Sequence, residues 1–144
     1  MSLPEPEPGL VISYAYLWRH EHSKGREEGR KNRPCVIVLN VRHAKSGNRR
    51  VTVVAITHGR PSADTIAIEL PANVKRHLGL DGERSWVILD EVNQFDWPGF
   101  DVRPLPGSKA KFEYGFIPPK LYGQIRSALL DAHRKRKATV IPRD

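Results

Sequence analysis

Apolar positions fall in short runs separated by turns rich in glycine, proline and charge, and they predict strands over most of the chain. Gly9 to Trp18 (GLVISYAYLW) is β-branched and aromatic, with both faces apolar enough to be partly covered. Arg19 to Asn32 (RHEHSKGREEGRKN) has no periodicity and reads as a long polar loop, a class that often carries function. A second strand follows from Cys35 to Val41, with Pro34 at its start, where a missing N–H is tolerated. Arg42 to Arg50 is a basic turn, and Val51 to Thr57 is a third strand. Thr65 to Leu70 alternates as a fourth. Pro71 to Leu78 reads as a short helix with proline in its first turn and Gly79 beyond its end, and Ser85 to Val92 as a fifth strand.

Asp96 to Ser108 is broken by prolines and glycines and predicts an irregular surface excursion. Phe112 to Ile117 adds a short strand. Pro118 and Pro119 then open a terminal helix whose Leu121, Ile125, Ala128, Leu129 and Ala132 make one apolar stripe. Five or six strands, a small internal helix and a terminal helix argue for a mainly β fold, a small curled barrel. Residues 9–137 are expected as one domain that includes the helix at about 118–137, after a disordered lead-in at 1–8 and before a tail at 138–144.

If the second and third strands pair antiparallel, Arg33 at the start of one lies beside Thr57 at the end of the other. A guanidinium and a hydroxyl facing one cavity outline a phosphate site. Charge points the same way: 24 basic against 16 acidic residues leave a net +8, which favours polyanionic partners. No apolar run approaches the roughly 20 residues of a membrane span, and the proline-rich, acidic start MSLPEPEPGL does not read as a signal peptide. Cys35 is the single cysteine, so an internal disulfide is impossible and a reducing cytoplasm fits. His20 and His22 have a metal-compatible spacing without a third ligand in suggestive register, so no metal site and no cofactor are expected.

Four stretches in order, Lys24 to Gly29 with Arg33-Pro34, Val53 to His58, Gly79-Leu80 with Ser85 to Val92, and Gly115 to Ile117, resemble the MazF/PemK (Kid) family of toxin endoribonucleases. Lys24-Gly25-Arg26-Glu27-Glu28-Gly29 followed by Arg33-Pro34 and the run to Leu39 is similar to the family's loop and Arg-Pro strand. Val53 to His58 resembles its apolar strand ending in Thr-Ser, Gly79-Leu80 with Ser85 to Val92 its later strand, and Gly115-Phe116-Ile117 its C-terminal end. The resemblance spans roughly residues 9 to 130. It implies an SH3-like barrel, a homodimer, an acidic antitoxin partner, and metal-independent cleavage of single-stranded RNA through a 2′,3′-cyclic phosphate.

Such cleavage needs a base for the 2′-hydroxyl, an acid for the leaving oxygen and a cation for the phosphorane. Arg33 and Thr57 match catalytic positions of the family, Glu27 its loop glutamate and Asp90 its strand-end aspartate; these four are the expected catalytic residues. His22, Lys24, Arg26, His58 and Trp97 are expected RNA contacts, with base stacking on Trp97. His58 replaces the family's serine, Asn93 stands where many members have arginine, and the insertion after Asp96 is a further departure. A non-catalytic nucleic-acid-binding barrel and a protein-binding barrel are the alternatives.

Overall fold

In the computed structural model, residues 3–18, 32–99, 101–108, 110–135 and 139–143 are described. They form β1 (Leu10–Ala15), β2 (Asn32–Arg42), β3 (Arg49–Thr57), β4 (Ala67–Glu69), α1 (Ala72–His77), β5 (Trp86–Ile88), β6 (Glu91–Trp97), β7 (Glu113–Phe116), α2 (Pro119–Arg134) and β8 (Thr139–Pro142). One mainly antiparallel, eight-stranded sheet runs in the order β4-β5-β3-β2-β1-β7, with β6 also on β3 and β8 outside β6. No pairing joins β4 to β7 among the described residues, so the sheet is open where the sequence predicts a closed barrel.

The central strands are apolar at nearly every position because both of their faces are buried. On β2, Val36 and Val38 enter one core while Cys35 and Ile37 enter another; on β3, Val54 and Ile56 separate in the same way from Val53 and Ala55. This is the period-two alternation of a pleated strand with cover on each side. The first core is closed by Val74 and Leu78, from α1 and its end, and by Leu121 and Ile125 of α2, the helix stripe read from the sequence. Ile125 is fully buried, worth roughly 1.5–3 kcal/mol in apolar transfer. The second core is closed by Tyr14, Phe95 and Val102, with Tyr14 stacked on Phe95 at 4.7 Å between ring centroids.

Three regions differ from the sequence expectation. The single fifth strand is divided: Thr57 faces Trp86 and Val53 faces Asn93, so four steps along β3 are matched by seven along its neighbour. The extra residues bulge at the corner Leu89-Asp90 between β5 and β6, which no apolar pattern marks. The expected tail is β8, parallel to β6, with Glu91 opposite Thr139 and Gln94 opposite Pro142. The expected disordered lead-in packs on the sheet over its described residues. Pro6 is buried and its carbonyl accepts from Asn40 Nδ2 at 2.9 Å, while the Glu5 carboxylate pairs with Arg49. The excursion after Asp96 folds back on β1, where Ala15 N donates to the Asp101 carbonyl and Arg103 N to that of Ser13, both at 2.8 Å.

Candidate functional site

A cleft of about 420 Å³ opens where β2 begins and β3 ends. Asn32, Arg33 and Pro34 form one wall and Ile56, Thr57 and His58 the adjoining one. Lys75, with Gly79, Leu80, Asp81 and Ser85, closes the far side, and Tyr114 of β7 and Pro106 of the excursion complete it. The antiparallel register that pairs Cys35 with Ala55 carries Arg33 to the level of Thr57. Arg33 Nη1 donates to Thr57 Oγ1 at 3.4 Å, a long contact, and the guanidinium lies over the Trp18 ring at 5.3 Å. That ring is an orienting platform for a planar cation.

The Thr57 oxygen also accepts from Gly59 N at 3.2 Å. With its oxygen accepting twice, the hydroxyl keeps its own hydrogen to donate into the cleft. Arg33 retains further N–H groups beyond the one spent on Thr57. Together they present two donors to an anionic oxygen, the arrangement that binds a phosphate.

The opposite wall is set by the end of α1. Gly79, at φ +70°, takes the left-handed conformation, Gly79 N bonds the Arg76 carbonyl at 3.1 Å and Leu80 N the Lys75 carbonyl at 2.9 Å. This paired closure turns the chain sharply at a helix C-terminus, and it brings Asp81 back beside Lys75. Lys75 is only 4% exposed. Its ammonium is satisfied by Asp81 Oδ1 at 2.8 Å, Ser85 Oγ at 2.7 Å and the Glu83 carbonyl, which is how a buried charge is tolerated. Asp81 accepts from Lys75, from Glu83 N at 3.0 Å and from His58, whose Nε2 lies 2.7 Å from Asp81 Oδ2. The Lys75 hydrogen bond, first among these, holds the Asp81 carboxyl below its ordinary range.

A depressed carboxyl stabilises the fold above the ordinary aspartate pKa, and that contribution is lost as pH falls through the lower folded value. The thermal stability of wild type should therefore exceed that of Asp81→Asn at neutral pH. The gap should close on acidification below about pH 4, as read by paired melting curves.

The sequence-predicted residues are partly gathered here. Arg33, Thr57 and His58 line the cleft. Asp90 lies at the corner between β5 and β6, outside the lining, where its carbonyl accepts from Thr139 N at 2.9 Å. Trp97 pairs in register with Arg49, eight residues down β3 from Thr57 and thus roughly 26 Å away at the rise of a strand. It packs against Phe95 of the second core, with 6.0 Å between ring centroids, and lies outside the cleft lining. His22, Lys24, Arg26 and Glu27, together with His20, lie outside the described residues. Lys75, Asp81 and Ser85 are additions. His58, Asp81 and Glu83 bring three ligand-type atoms within 4.8 Å of one another, but the Asp81 oxygens already accept from Lys75 and His58.

The Asn93 departure has a structural account. Asn93 is wholly buried, and its side chain clamps Leu17, accepting from its N and donating to its carbonyl, each at 2.9 Å. Arg143, just past β8, donates to Asn93 Oδ1 at 3.0 Å. A position buried in this way faces the interior, away from any solvent-borne RNA.

A comparison with protein families matches residues 16–131, most of the chain and every element from β2 to α1 and on through most of α2. The match is to the PemK-like, MazF-like toxins of type II toxin–antitoxin systems. The chain belongs to this family. Comparisons with curated proteins and with solved structures give no match. Set within the PemK-like family, the cleft contains the Arg-Pro and strand-end threonine that carry the resemblance in sequence, while His58 and the Lys75–Asp81 network lie beside them. Among the described residues, no helix is long and apolar enough to cross a membrane.

Proposed function

We propose that the protein is the toxin of a toxin–antitoxin pair and acts as an endoribonuclease on single-stranded RNA at the Arg33–Thr57 cleft. The observation that carries this is the meeting of a guanidinium and a donor-capable hydroxyl in one recess of a PemK-like chain. The chemistry follows from what those groups offer. The 2′-oxygen attacks the adjacent phosphorus, the bond from phosphorus to the 5′-oxygen breaks, and a 2′,3′-cyclic phosphate and a 5′-hydroxyl result. Arg33 offsets the charge that builds on the nonbridging oxygens, and Thr57 donates to one of them. The attack uses the substrate's own hydroxyl as nucleophile, so it requires no metal-bound water.

On this reading the open sheet is a variant of the SH3-like barrel, the working form is a cytoplasmic homodimer, and an acidic antitoxin covers the cleft to restrain growth inhibition. The net charge of +8 supports a polyanionic substrate and an acidic inhibitor alike. The deciding experiment incubates the protein with a long, unstructured RNA in EDTA and maps the ends. Cyclic phosphates and 5′-hydroxyls are expected, and intact RNA would refute the assignment. Affinity for single strands should fall by about 0.7 log units per decade of salt for each phosphate neutralised. Salt-dependent binding without cleavage would favour a nucleic-acid-binding module instead.

A further inference from the structure

Resting on the ribonuclease reading above, we propose that His58 is the general acid of the cleft, held in place by Asp81, with Lys75 fixing Asp81. The position follows directly from Thr57, so the imidazole stands on the same wall as the phosphate donors, and its side chain is 53% exposed to the cleft and to solvent. Asp81 Oδ2 lies 2.7 Å from Nε2 and Glu83 Oε2 lies 3.4 Å from Nδ1. Ionised carboxylates only accept hydrogen bonds, so a ring nitrogen facing one acts as a donor. The two contacts are unequal. Asp81 is anchored by a buried ammonium and a backbone N–H, whereas Glu83 is 73% exposed and held at the longer distance. The Asp81 side therefore fixes the ring, and the Nδ1 side exchanges Glu83 for substrate.

The step balances as follows. The 2′-hydroxyl loses its proton to solvent water as its oxygen bonds to phosphorus. As the bond from phosphorus to the 5′-oxygen breaks, Nδ1 of His58 gives its proton to that oxygen, which leaves as a hydroxyl. The neutral imidazole then regains a proton from solvent. Asp81 and Glu83 face the ring, Lys75 of α1 stands behind Asp81, and Arg33 of β2 and Tyr114 of β7 line the same cleft. Asp81 and Lys75 are positioning residues in this scheme, since neither reaches the leaving oxygen.

The test uses the full chain and two RNA oligonucleotides carrying a cleavage site mapped on ordinary RNA. In one the scissile 5′-bridging atom is oxygen, and in the other it is sulfur, which departs as a thiolate without needing a proton. His58→Gln should cut the oxygen strand about a hundredfold or more slowly, the usual contribution of a placed acid, yet cut the sulfur strand to within about tenfold of wild type. Asp81→Asn should show the same selective rescue with a smaller defect. The fall in wild-type rate at alkaline pH should be absent in His58→Gln. Retained cleavage of the sulfur strand is also the control for folding. Equal losses on both strands, or a wild-type rate and pH profile in His58→Gln, would overturn the assignment while leaving the ribonuclease reading intact. A wild-type protein that cuts neither strand would overturn both.

Discussion

Arg33→Ala should lower RNA cleavage about a hundred- to a thousandfold, the typical loss when one preorganised donor to a developing oxyanion is removed. The guanidinium is placed for this from two sides, by Thr57 Oγ1 at 3.4 Å and by the Trp18 ring at 5.3 Å. Neither contact ties up the whole fork, so two coplanar N–H groups stay available for one phosphate. Arg33→Lys should recover only part of the rate, because an ammonium keeps the charge but not the planar, two-pronged contact. Thr57→Val preserves β-branched shape at the end of β3 and deletes the hydroxyl alone. Its folding should be unchanged while its rate falls. Binding of uncleaved RNA, spread over many phosphates, should weaken far less than turnover in all three variants. Single-turnover rates beside filter-binding affinities separate the two effects, and a wild-type rate in Arg33→Ala would remove this residue from the chemistry.

The sequence makes the Arg33–Thr57 half of the cleft legible and hides the other half, for a physical reason. Arg33 and Thr57 sit at the ends of two apolar runs whose pairing is a local hairpin event, so strand lengths alone bring them level. Lys75 belongs to a helix, PANVKRHL, in which a lysine reads as solvated. Its burial depends on Asp81 and Ser85, which reach it only after the turn at Gly79 and the docking of β5. Asp81, Gly82 and Glu83 carry only the composition of a turn. The place of Asp90 outside the cleft lining has a related cause: the apolar residues from Trp86 to Val92 conceal a bulge, and a bulge redirects the side chains that follow it. The terminal strand was illegible because Thr139 to Pro142 is short, follows a cationic stretch and pairs parallel to β6, with no hairpin to announce it.

That last strand leads to the largest expected change in stability. Arg143 has a side chain only 1% exposed, and it joins segments far apart in the chain. Nη1 donates to the Ala15 carbonyl at 2.9 Å and to Asn93 Oδ1 at 3.0 Å, while Nη2 lies 2.9 Å from Asp101 Oδ2. The guanidinium also rests over the Tyr14 ring at 5.6 Å. The excursion at Asp101, the end of β1 and the middle of β6 are thus tied by one cation. Asp101 is itself 16% exposed, so Arg143→Ala takes a close cationic partner away from a largely buried carboxylate. Breaking a buried pair in this way costs about 3–5 kcal/mol. Arg143→Ala should lower the unfolding free energy by that amount, read as a lower urea midpoint with little change in slope. Asp101→Asn should add much less in the Arg143→Ala background than in wild type, since both changes report on one contact. The clamp on Leu17 by Asn93 shares this network, and Leu17 precedes Trp18, the platform under Arg33. The folded fraction of Arg143→Ala should therefore bind RNA normally but turn over somewhat more slowly. A midpoint shift worth under about 1 kcal/mol, the scale of an exposed ion pair, would mean that β8 frays in solution and that the buried cation does not hold these segments together.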